Sequence, residues 1–196
     1  MAAGWIKTRG EVSYSVHAQP PENIRSHLRR LGLNVEELEN KDQLRIHDWY
    51  TTTLGQKSKE KLARQSMKVA DLSIDFAKTQ LVGPPTPNKL IIDDTLSPGT
   101  RFNDEKPWFE FLLTRIIPMA PIRKMTKLLG LTIGVHSEWA YKTLESVVDG
   151  IIDFKLDEAA NPPRNLMRIR RLREVSYNPG WHSLTRTAKF EVLLEK

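Results

Sequence analysis

The stretch Lys89-Leu90-Ile91-Ile92-Asp93-Asp94-Thr95-Leu96-Ser97 decides how this chain is read. Three apolar residues run together and stop at two carboxylates. Pro84, Pro85 and Pro87 stand before the stretch, and Pro98-Gly99 follow it. A continuous apolar run between turn residues reads as a strand buried on both faces, the kind that lies inside a parallel sheet covered by helices. In open α/β sheets the ligand lies beyond the carboxyl ends of the strands. Asp93 and Asp94 are at that end. The plainer alternative is that one aspartate opens the next loop and the other is solvated.

Working toward the N-terminus, Leu44 to Trp49 is a second strand candidate, and Glu11 to His17 alternates apolar and polar residues as a strand does. Between them, Gln19-Pro20-Pro21 is a break. Ile24 and Leu28 recur at helical spacing in Glu22 to Arg30, with a stop at Leu31-Gly32. Val35 to Leu38 adds a short helical turn. Lys57 to Lys78 reads as one amphipathic helix, with Leu62, Val69, Leu72 and Phe76 on its inner face.

Toward the C-terminus, a loop over Pro98 to Pro107 leads to a helix from about Trp108, which Pro118 and Pro121 kink or interrupt. A further helical piece is expected to reach about Lys127. Leu128 to Val135 is expected to be another buried strand, ending at His136-Ser137-Glu138. A short helix over Tyr141 to Ser146 precedes a strand from Gly150 to Leu156. Two alternating segments, Leu166 to Arg173 and Ala188 to Leu194, read as antiparallel strands joined through Asn178-Pro179-Gly180. Strands alternating with helices, then strands alone, define an α/β fold: a mostly parallel sheet flanked by helices, with antiparallel C-terminal edge strands. No repeat, low-complexity tract or linker divides the 196 residues, which read as a single domain over 1–196.

The bulk numbers narrow the class. Cysteine is absent, so disulfides and thiolate metal sites are excluded. No apolar run approaches the roughly 20 residues of a membrane span, and no secretion signal opens the chain. The expectation is a cytoplasmic protein that does not enter membranes. A net charge of +6 permits polyanion binding without establishing it.

A phosphate-binding loop needs converging glycine N–H groups, then a lysine and a hydroxyl at a helix start. The sequence contains no G-x-x-x-x-G-K-[ST]. The nearest decoy is Gly55-Gln56-Lys57-Ser58, where Gln56 splits the Gly-Lys pair. The histidines His17, His27, His47, His136 and His182 are scattered, with no pair at helical metal spacing, and read as packed or surface residues. His136-Ser137-Glu138 is held apart as a strand-end polar site. The densest charge cluster is Arg164, Arg168, Arg170, Arg171 and Arg173. Strand alternation would point Arg168 and Arg170 one way, and Arg171 and Arg173 the other. Either these are the charges of a solvated edge strand, or they capture phosphate on nucleic acid or on a neighbouring subunit's nucleotide.

The order of these features resembles one family, the KaiC/RadA-like branch of the RecA-superfamily ATPases, common in archaea. Gly10 to Leu31 resembles its strand, paired-proline turn and basic helix. Leu31 to Leu38 followed by Leu44 to Asp48 resembles its next helix and strand. Lys89 to Ser97 resembles its Walker B strand. Leu144-Glu145-Ser146-Val147-Val148-Asp149-Gly150-Ile151-Ile152 and Leu166 to Arg173 with Pro179-Gly180-Trp181-His182 resemble its most specific C-terminal signatures.

The resemblance implies the following. Asp93 matches the Walker B aspartate that helps hold Mg²⁺, and Asp94 sits where the family commonly has serine. Arg171 and Arg173 match basic residues that reach a neighbouring subunit's nucleotide. The two glutamates that normally end the first matched strand are replaced by Ala18 and Gln19. Only Met1 to Arg9 lie where the phosphate-loop unit would be, so this reading takes that unit as missing. The expectation is a degenerate pseudo-ATPase, not an enzyme, with no cofactor required and weak Mg-ATP binding left open. It would act on an intact RecA/KaiC-like homologue or on itself. Two alternatives stay open: a nucleic-acid-binding RecA-like module, and the C-terminal part of an ATP-binding KaiC-like protein whose phosphate loop lies outside this sequence.

Overall fold

The computed structural model describes residues 2–8, 10–64, 71, 89–93, 105–186 and 192–194. The chain divides into two compact units, Met1–Ala140 and Tyr141–Lys196.

In the first unit the order is α1 (Ala2–Lys7), β1 (Glu11–Val16), α2 (Pro21–Arg30), α3 (Val35–Asn40), β2 (Leu44–Asp48), α4 (Tyr50–Thr53), β3 (Leu62–Ala63) and β4 (Lys89–Asp93). After β4 come α5 (Lys106–Phe111), a π-helical turn (Leu112–Ile116), α6 (Ile117–Ile122) and β5 (Met125–Leu129). The helix α7 (Glu138–Val147) spans the boundary between units. The five strands form one parallel sheet in the order β3-β2-β1-β4-β5. β4 is thus an inner strand, and four of its five residues are buried, as the apolar run predicts.

Strand side chains alternate between faces, and in this sheet the alternation separates two chemistries. Val12, Val16, Leu44, Ile46 and Leu90 point to one face and form a core with Ala2, Ile6, Ile24, Leu28 and Val35 of α1 to α3. Helix α2 begins at Pro21, whose missing N–H is no loss at a first helical position. It ends in a Schellman motif: Leu33 N donates to the Leu28 carbonyl and Gly32 N to that of Arg29. Gly32 has φ +79°, a conformation that strains any residue with a Cβ. Asn34 caps α3 by accepting from Glu37 N. Arg25 then ties the layer together with forked hydrogen bonds to Glu39 and Glu60.

The second unit holds β6 (Gly150–Asp157), β7 (Arg164–Leu172), β8 (His182–Arg186) and β9 (Val192–Leu194). They are antiparallel, as expected, and pair with one another in a four-stranded sheet of their own, β6-β7-β8-β9. A bulge interrupts the β6–β7 register at Ile151/Ile152.

Three expected elements are corrected. The piece expected to be helical up to Lys127 becomes strand at Met125, because Met125 to Leu129 pair residue by residue with Lys89 to Asp93. The expected strand Leu128 to Val135 stops at Leu129. Beyond it the chain turns, with Gly134 at φ +83° and Ile133 exposed. Finally, the helix expected from Lys57 does not start there, since Leu62–Ala63 pairs with His47 and Asp48 as β3. The remainder of that segment, apart from Asp71, lies outside the described residues.

Candidate functional site

The carboxyl ends of β1, β2 and β4 meet on the face opposite the apolar core. Ser15 stands level with His47 on one side and with Asp93 on the other. Ser13, Ser15, His17, His47 and Asp93 are all buried on this face, as is Lys89 at the amino end of β4. Lys127 reaches the same group from β5, its Nζ 3.0 Å from Asp93 Oδ2, with both side chains less than a tenth exposed. His17 Nε2 lies 3.9 Å from the other carboxylate oxygen, and the His17 ring packs against Trp49 at 4.9 Å between centroids.

The electrostatics follow from burial and pairing. Burial alone would raise the Asp93 carboxyl, but the Lys127 charge, helped by His17 and Ser15, holds it well below the usual carboxylate range. Burial pulls the Lys127 ammonium down, and Asp93 opposes that pull. The 3.0 Å contact has the geometry of an ion pair, carboxylate against ammonium. His47 is fully buried, and desolvation pushes it down from 6.5 to about 3 against the attraction of Asp93. It is neutral at physiological pH. Among the described residues neither His47 nitrogen has a hydrogen-bond partner.

Ala18 and Gln19 come after His17 in the bend that follows β1. Within β1 it is Ser15 that stands level with Asp93. Asp94 lies outside the described residues.

The other site residues expected from sequence fall elsewhere. His136-Ser137-Glu138 does not end a strand, because β5 stops at Leu129. It starts α7 instead. The Ser137 hydroxyl accepts from Ala140 N, and the Glu105 carboxylate accepts from Ser137 N at 3.2 Å and sits 3.2 Å from His136 Nδ1. Glu138 is the first residue of the helix. This is a helix N-terminus satisfied by side chains.

In the second unit the arginines alternate as a strand dictates. Arg168 and Arg170 both reach Asp153, at 2.9 and 3.1 Å, and Arg170 also reaches Glu145. Arg168 additionally lies over the Trp181 ring, 4.6 Å from its centroid. On the other side, Arg171 donates to the carbonyls of Glu145 and Val148, and Arg173 to that of Ser146. Those carbonyls lie in the last turn of α7 or, for Val148, just past it, where a helix leaves acceptors unmet and favours positive charge.

The decoy Gly55-Gln56-Lys57-Ser58 is closed on the protein. The Ser58 hydroxyl donates to Asp48 at 2.6 Å and accepts from Glu60 N, while Gly55 takes φ +70° just past α4.

The sequence singles out Asp93 but not its neighbour Lys127, and of the histidines read as packed or surface residues His17 and His47 are packed. The signal for Lys127 is a lone cation between Met125 and Leu129 in strand alternation. It becomes visible only once the strand is placed.

A parallel sheet with this strand order, an aspartate ending an inner strand and antiparallel strands following it defines the RecA-like α/β class. The family described as "ATPase: KaiC" matches residues 9–190, and the chain belongs to that family. Among solved structures, it is similar to a KaiC-like protein of the hyperthermophilic archaeon Pyrococcus horikoshii OT3. That likeness has a TM-score of 0.74 at 15% identity and covers 100% of this chain and 80% of the other. It is also similar to an uncharacterised Pyrococcus horikoshii protein solved in complex with an unknown peptide, with a TM-score of 0.71 at 13% identity, covering 99% and 83% respectively. No curated protein matches the chain. No helix among the described residues is long and apolar enough to cross a membrane.

An ATPase family implies Mg²⁺, which takes six oxygens in octahedral geometry and keeps several waters. Here the matching carboxylate is buried against an ammonium. Among the described residues, no group of three or more His, Cys, Asp or Glu could hold a metal ion. The described residues around Asp93 do not fit the ion.

Proposed function

We propose that this KaiC-family domain works by binding rather than by hydrolysing ATP, as a regulatory partner of an intact KaiC-like ATPase or of a second copy of itself. The observation that carries this reading is the pair Ala18-Gln19 in the bend just past β1, the strand whose Ser15 is level with Asp93. The family resemblance puts the water-activating glutamates there. Alanine has no proton acceptor, and a neutral amide is a very poor base. Phosphoryl transfer relies on positioning and charge stabilisation, and the one closed Gly-Gln-Lys-Ser loop offers neither. The role needs no cofactor. A polypeptide partner is in keeping with the peptide held by one fold relative.

Phosphate release and calorimetry with Mg-ATP test the first half. The expected result is no turnover and no tight binding, and steady turnover by the purified chain would overturn it. Mixing the chain with an intact KaiC-like ATPase, with solution mass measured alongside, tests the second. Co-migration with a changed ATPase rate, or self-association, is expected. The absence of both association and a rate change would refute the partner role.

A further inference from the structure

We propose that Lys127 is the resident cation of Asp93: its ammonium balances the carboxylate from within the sheet, so this aspartate holds strands together and does not recruit Mg²⁺. The inference stands apart from the partner role above, since it concerns one carboxylate and its counter-charge.

Register places the pair. Lys127 is level with Ile91, and Asp93 is level with Leu129. Residues two apart on adjacent parallel strands share a face, so the lysine chain runs diagonally forward along the sheet to Asp93 Oδ2, 3.0 Å away. Just past the pair, Gly130 N donates to the Asp93 carbonyl at 3.0 Å and fixes the two strand ends together. The second carboxylate oxygen faces the His17 ring. Both oxygens of Asp93 therefore already face protein groups.

A divalent ion would have to displace a buried ammonium. Removing one partner from a buried ion pair leaves the other charge uncompensated, which is strongly unfavourable. The ion would gain one carboxylate, and the described residues bring no three-membered acidic or histidine group to complete its shell.

The test uses the full chain without nucleotide. Mn²⁺ binding is followed by electron paramagnetic resonance, and thermal melts are run with and without Mg²⁺, on the wild type, Asp93→Asn, Lys127→Gln and the double variant. The wild type should bind no Mn²⁺ beyond the level of the double variant, and its Tm should ignore Mg²⁺. Each single change should lower Tm, and the double variant should regain most of the loss, because two neutral amides can pair. Mn²⁺ bound by the wild type and lost in the double variant would overturn the proposal, as would single effects that simply add. If a single variant fails to fold, the Mn²⁺ comparison of wild type and double variant decides alone. ATP turnover would refute the function proposed above and leave this result untouched.

Discussion

The two faces of the parallel sheet are built from the same strands and differ in chemistry, one mainly apolar and the other mainly polar. On one, Val12, Val16, Leu44, Ile46 and Leu90 meet the helices α1 to α3. On the other, Ser13, Ser15, His17, His47, Lys89 and Asp93 are equally buried. The apolar face gains from removal of surface from water, which is non-directional and tolerant of exact placement. On the polar face Ile91 gains in the same way, but its polar neighbours gain nothing from burial itself. Their stability rests on pairing, above all Asp93 with Lys127, and an unpaired member there costs more than its contact was worth.

That contrast can be broken from either side. Lys127→Met should give the largest effect, about 3–5 kcal/mol of stability lost in urea titrations, because it strands a buried carboxylate. Adding Asp93→Leu to it should restore most of the loss. Leu28→Ala on the apolar face should cost about 3 kcal/mol in the same titrations through cavity formation, with no second-site rescue from the polar face.

Acid should sharpen the distinction further. His47 is neutral in the fold down to about pH 3, whereas its unfolded counterpart takes up a proton below 6.5. Unfolding therefore binds a proton between those limits, and stability falls as pH falls. The slope approaches about 1.4 kcal/mol per pH unit. Urea midpoints measured across that range should show it, and His47→Gln should flatten it. The smallest effect is expected at Gly32→Ala. A Cβ at φ +79° meets no neighbour, so the cost of roughly 1 kcal/mol is backbone strain alone. A thermal melt would detect it.

The apolar face was legible in the sequence because each of its elements is locally encoded. The alternation of Glu11 to Val16, the Pro20-Pro21 break, the Ile24/Leu28 spacing and the Gly32 stop each name their own structure. The region from Met125 to His136 was not. Its apolar run Leu128 to Val135 resembles a buried strand, but the strand is placed by pairing with Lys89 to Asp93, and register is not a local property. The same cause hid part of the site. Asp93 announces itself by ending an apolar run, whereas Lys127 has meaning only beside its partner. Ser137 was visible as a polar residue, but its work as a cap depends on where α7 begins.

Arg171 and Arg173 spend their guanidinium groups on carbonyls in the last turn of α7 and just past it, and Arg168 and Arg170 share Asp153. The number of arginines in this strand is consequently a poor guide to the field it projects. Much of its positive charge is matched by acidic groups and peptide dipoles within a few ångströms, so a passing polyanion would sense a far quieter surface than the arginine count advertises.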